Sequence, residues 1–131
     1  MNFDETELGK VEISDPVIRD LAVHSYMEFN GLSFTDQKAK KEAKAAVDIE
    51  VEELESGKKQ IKINVSTKVK YGESIPEYAR NLQKKLKEDV ENLSGLEVSE
   101  VYVKVLDVVE VTETKPTEVT EPEEEDEEEG K

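Results

Sequence analysis

Between Val47 and Tyr71 apolar and polar residues alternate with period two, interrupted once at Glu55-Ser56-Gly57-Lys58. Val47, Ile49 and Val51 fall on one face, and Asp48, Glu50 and Glu52 on the other. Past the interruption, Ile61, Ile63, Val65, Val69 and Tyr71 share a face opposite Lys62, Asn64, Ser66, Lys68 and Lys70. A helix would scatter such a pattern over its whole circumference, whereas a strand sorts it into one wet and one dry side. Two half-buried strands follow, joined at Gly57 into an antiparallel hairpin. The polar face of one strand is acidic and that of its partner basic. Opposed charges contribute ~0.2–1 kcal/mol per pair and help set the register.

The dry face of this hairpin needs a cover, and two segments have the spacing to supply it. In "SDPVIRDLAVHSYMEFNG" the residues Val17, Ile18, Leu21, Ala22, Tyr26 and Phe29 form one helical stripe. Ser14 or Asp15 can cap its start, Pro16 suits the first turn, and Gly31 stops it. In the segment beginning at Ser74, Ile75, Ala79, Leu82, Leu86, Val90 and Leu93 recur at three and four residues, up to Ser94-Gly95. Val11 and Ile13 alternate with Lys10 and Glu12 and predict a short first strand. Val101, Val103 and Val105 predict a last one, continuing less cleanly to Val111. Residues 33–44, rich in lysine and poor in periodicity, read as a mobile connector, with partial helix as the alternative.

The expected order is therefore β-α-β-β-α-β, an α+β fold with one small sheet and two helices packed on one face. It spans residues 9–111, after a flexible N-terminus at 1–8. Residues 112–131 carry ten acids against Lys115 and Lys131, which is −8 of the formal −15. With two prolines and no core-forming pattern, they are expected to be a disordered acidic tail.

The charge balance argues against a general nucleic-acid binder, since net negative charge repels phosphate at long range. The absence of cysteine excludes disulfides, thiolate metal sites and thiol catalysis. No apolar run approaches the ~20 residues of a spanning helix, and "MNFDETELGK" lacks the apolar region of a secretory signal. A soluble cytoplasmic protein is expected.

No catalytic set stands out. Tyr71-Gly72 leading into Ser74-Ile75-Pro76-Glu77 resembles a phosphate-binding turn in outline, but such turns need several glycines or a following Gly-Lys-Ser/Thr. Ser74 and Glu77 instead satisfy a capping box, and Gly72 permits a positive φ at the strand exit. The stretch reads as a structural corner. His24 is the only histidine, and nothing in the spacing nominates a nucleophile to pair with it. Asp48, Glu50 and Glu52 repeat at ~6.5 Å along a strand, too far apart to converge on one cation. No cofactor or metal is expected.

One cluster invites a binding role. Arg80, Lys84 and Lys87 recur at helical spacing, with Lys85 beside them, in an otherwise acidic chain. A solvated face balanced by Glu88 and Glu91 is the plain reading, and a partner-binding patch the sharper one. RNA is the alternative partner, because a four-stranded sheet behind two helices is also the layout of the RNA-recognition motif. That motif stacks bases on aromatic residues, whereas the outward positions here are Lys62, Asn64, Ser66 and Lys68, with Tyr102 the one aromatic candidate.

"GKVEISDPVIRDLAVHSYMEFNGL", followed by "VSTKVKYGESIPEYARNLQKKLKEDVENLSGLEVSEVYVKVLDV", resembles the alkaline-shock, or cell-envelope stress response, family of Gram-positive and related bacteria. The likeness lies in the Ser-Asp-x-Val-Ile start, the Tyr-Gly-x-x-Ile-Pro corner and the Ser-Gly-Leu-x-Val end. The lysine-rich middle and the glutamate tail depart from the family pattern. The resemblance implies a non-enzymatic cytoplasmic scaffold linked to envelope homeostasis. It also implies self-association into a homo-oligomer, and a place near the membrane through a membrane-anchored relative.

Overall fold

A computed structural model describes residues 5–6 and 8–110. Its elements are β1 (Glu5–Thr6), β2 (Gly9–Lys10), α1 (Asp15–Phe29), α2 (Gln37–Ala46), β3 (Val47–Glu53), β4 (Lys59–Lys70), α3 (Ile75–Ser94) and β5 (Glu97–Val109). The fold is α+β, with one small sheet of order β3-β4-β5. β3 and β4 form the expected antiparallel hairpin, with Val47 opposite Val65 and Val51 opposite Ile61. β5 joins the far side of β4 in parallel, as a β-α-β crossover through α3 requires. Ile61, Ile63 and Val65 of the central strand are fully buried beneath the helices, with Val47 and Val98 beside them. From above, α1 contributes Ile18, Ala22, Val23 and Met27, and α3 contributes Leu82, Leu86 and Val90.

The charge pairing across the hairpin is only partly as expected. Glu50 does face Lys62, and Glu53 faces Lys59, but Asp48 faces Asn64 and Glu52 faces Gln60. Glu50 in fact accepts from the Asn64 side-chain amide at 3.1 Å.

One expectation about the N-terminal half needs correction. Val11 and Ile13 form no strand of the sheet, which therefore has three strands. The N-terminal pairing is the separate two-residue ladder β1-β2. Four alternating residues before Pro16 offer too few ladder bonds to hold an edge. Ile13 packs against the core while Val11 is left 55% exposed.

The connector follows the alternative its sequence left open, and most of it is the helix α2. Asp36 caps α2 by accepting from the amides of Lys38 at 3.0 Å and Ala39 at 3.1 Å. Its apolar stripe is two alanines, Ala39 and Ala43, both buried. Alanine, lysine and glutamate all favour helix strongly, so a stripe this narrow suffices once it is docked. Arg19 of α1 holds the other end by donating to the carbonyls of Lys44 and Val47.

Smaller departures follow the same logic. Tyr71 lies in the turn beyond β4 and is 77% exposed, not on the inner face. Leu93 is exposed and the neighbouring Ser94 is buried, donating to the Val90 carbonyl at 2.6 Å. The 112–131 segment lies outside the described residues.

Candidate interaction surfaces

The Tyr71-to-Glu77 junction is a corner in the structure as well. Gly72 takes φ +103°, which a side chain rarely adopts. Ser74 Oγ accepts from the Glu77 amide at 3.4 Å, although the return bond of a full capping box is not made. An open cleft of about 350 Å³ adjoins this corner, lined by Phe29, Glu73, Ser74, Glu77, Tyr78 and Asn81. Two carboxylates in that lining oppose phosphate. His24 packs against Phe34 with ring centroids 4.8 Å apart and the rings tilted at 57°. Among the described residues no group of three or more acids and histidines is placed to hold a metal ion.

The four basic residues of α3 have four different situations. Lys85 is only 27% exposed and forms ion pairs at 2.9 Å with Glu28 of α1 and with Asp89 one turn on. Its hydrogen bonds to Glu28 and Asp89 hold the ammonium above its usual pKa. Burial pushes Asp89 up, but hydrogen bonds from Lys85 and Ser25, with the Lys85 charge, together bring it below the usual value. The Ser25 hydroxyl donates to the same carboxylate at 2.7 Å. Lys85 is thus a bolt between the two helices.

Lys87 reaches sideways to the sheet. It donates to the Val98 carbonyl at 2.8 Å and pairs with Glu91 at 3.2 Å, while Glu91 accepts from the Val98 amide at 2.9 Å. One turn earlier, Gln83 donates to the Val101 carbonyl at 2.9 Å. Glu91, Lys87 and Gln83 lie on one row of α3 and occupy backbone groups of β5. Arg80 is the next residue in that row, and it bonds to nothing among the described residues. Lys84 is likewise exposed and unpaired among them. Spacing alone could not separate the four, because the partners that claim Lys85 and Lys87 come from α1 and β5.

The row defines a second surface that the sequence reading missed. β5 is the edge of its sheet, and backbone groups alternate sides along a strand. Val98 points its groups at α3 and so, past the register shift that follows it, does Val101; Val103 and Val105, two and four residues beyond Val101, therefore point theirs outward in the same direction. Val109 turns its carbonyl inward to the Tyr71 amide at 2.8 Å, which leaves Val108 facing outward. Among the described residues no side chain closes the edge at Val103 or Val105, and the Val108 amide bonds to its neighbour Asp107, at 2.8 Å. Around this open half Tyr102, Leu106 and Val108 are 52%, 55% and 43% exposed. The signal in the sequence was the continued run of valines past Val105.

The sequence profile of the alkaline shock protein 23 family, described by a cell envelope-related function, matches residues 3–110. The chain belongs to that family. The match covers the whole sheet and all three helices and stops where the acidic segment begins, so the family pattern resides in the folded body. No curated protein and no solved structure matches the chain. As in the sequence expectation, no described helix is long and apolar enough to cross a membrane.

Proposed function

We propose that this alkaline-shock-family chain is a non-enzymatic scaffold in cell-envelope stress homeostasis. It acts in the cytoplasm, near the membrane, by associating with copies of itself and with protein partners, one of them a membrane-anchored relative. The observation that carries the reading is the half-open edge of β5. An unpaired strand edge flanked by exposed apolar side chains is a template for another polypeptide. Arg80 and Lys84 add a charged contact for an acidic partner surface. Lys85 and Lys87 are engaged by carboxylates and a carbonyl, which leaves little of the basic stripe for a phosphate backbone and supports protein over RNA as the partner.

Crosslinking in intact cells, followed by capture of the chain from separated membrane and soluble fractions, tests this. The expected products are copies of the chain itself and a membrane-fraction protein. Recovery of crosslinked RNA in place of proteins would overturn the reading.

A further inference from the structure

The open half of β5 matches itself. We infer that its occupant is the same half-strand of a second copy of this chain, paired antiparallel about a two-fold axis. This rests on the reading of the chain as a self-associating scaffold and names the surface that does it.

The register follows from the residues that face outward. Val103 and Val108 both turn their backbone groups to the free edge. An antiparallel partner can therefore set Val103 of one copy opposite Val108 of the other, exchanging two N–H···O bonds. The two-fold axis repeats the exchange, giving a hydrogen-bonded pair at each end. The same register sets Lys104 opposite Asp107, again twice. Both residues lie on the sheet's outer face, since their neighbours on β4 are Ser66 and Lys68. It also sets Tyr102 opposite Val109, likewise on the outer face. The axis then passes between Val105 and Leu106, where the irregularity in the ladder lies.

Charge complementarity decides the occupant. An arbitrary extended peptide would gain the backbone bonds alone, whereas a second copy also gains two opposite-charge pairs and two valine pairs. The Asp107 carboxylate that now accepts from the Val108 amide holds the place of the missing strand. On pairing, the amide passes to the partner's carbonyl and the carboxylate is released toward Lys104. The first half of the strand is closed to any such pairing by Gln83, Lys87 and Glu91, so the interface is limited to Tyr102–Val109 and cannot slide.

The test is sedimentation velocity on the full chain over a range of concentrations, with circular dichroism as the control for folding. A concentration-dependent dimer is expected. Lys104→Glu, which places two carboxylates opposite each other at both ends, should weaken it about tenfold because the axis counts each pair twice. Combining Lys104→Glu with Asp107→Lys should restore the original affinity. A folded Lys104→Glu variant that dimerises as tightly as the parent would overturn the edge while leaving self-association standing. A parent chain that stays monomeric throughout would overturn both. A monomer whose Val103 and Val105 amides are nonetheless protected from exchange would give the edge to another segment of the same chain.

Discussion

Lys87 Nζ donates to the carbonyl oxygen of Val98 at 2.8 Å, so a cation from the middle of α3 closes the edge of the sheet beside it. With Glu91 on the Val98 amide and Gln83 on the Val101 carbonyl, the helix does for the first half of β5 what a fourth strand would do. Among the described residues the second half has no such cover.

Lys87→Met keeps the aliphatic stem and removes the donor. It should cost ~0.5–1.5 kcal/mol, the usual net worth of one hydrogen bond, with a share added by the lost Glu91 pair. Urea denaturation checks the stability. Amide exchange at Val98 should stay slow in this variant, because Glu91 still accepts from it, and should quicken in Glu91→Ala.

The Ser25–Asp89–Lys85 bolt gives a pH signature. A carboxyl whose folded-state pKa is depressed contributes stability above its unfolded value and loses it as the pH falls through the folded one. Asp89 is lowered from 3.8, so its contribution is complete at neutral pH and disappears only in strong acid. Lys85 is raised from 10.5, so its contribution persists below that value and is lost in strong alkali. Asp89→Asn should therefore lie below the parent in thermal midpoint at pH 7, and the gap should close as the pH drops below the ordinary carboxylate range. A gap that is constant down to the acid limit would deny the charge a role.

Tyr26 and Thr67 join α1 to the central strand through hydroxyls 2.6 Å apart in a buried setting. Tyr26→Phe leaves the Thr67 hydroxyl without this partner and should cost ~1–3 kcal/mol. Thr67→Val in the Tyr26→Phe background should cost less than it does alone, since both polar groups are then gone. A double-mutant cycle by chemical denaturation measures the difference.

The masking model proposes that residues 112–131, with their ten acids, compete in cis for whatever Arg80 and Lys84 bind. A tether of this length gives an effective concentration of roughly millimolar, enough to mask a weak electrostatic site. Removing 112–131 should tighten binding to an acidic partner surface, most at low salt, because screening sets in over ~8 Å at physiological ionic strength. Reversing Arg80 and Lys84 should cancel the gain in a salt titration. Equal binding by both forms would end the masking model.

The hairpin and both long helices were legible because each has a face that must be dry, and period two or 3.6 betrays that face directly. Ile61, Ile63, Leu82 and Leu86 went where the alternation sent them. α2 was legible only as an alternative, because its dry face is Ala39 and Ala43, residues too small to mark a stripe among lysines. The missing first strand shows the opposite error: Val11 and Ile13 alternate correctly, but local alternation does not supply a neighbour to pair with. On the candidate surface, helical spacing identified Arg80, Lys84, Lys85 and Lys87 as neighbours. It could not show that Glu28 and Val98 claim two of them, because those partners are distant in sequence. The open edge of β5 depends on which way each peptide group points, and no side-chain pattern records that.

In the proposed dimer two copies meet along Tyr102–Val109, and engineered thiols can report their register. The chain contains no cysteine, so any introduced thiol is the only one present. Opposite residues of a non-hydrogen-bonded antiparallel pair have Cα atoms ~4.5 Å apart, within disulfide range. Lys104 and Asp107 form such a pair across the proposed axis. Chains carrying Lys104→Cys and chains carrying Asp107→Cys, distinguished by size tags and expressed together, should yield a mixed disulfide dimer on mild oxidation of intact cells. Lys104→Cys expressed alone should yield almost none, since its two copies lie roughly three residues, or about 10 Å, apart along the strands. Equal crosslinking in the mixture and in the single variant, or none in either, would contradict the interface.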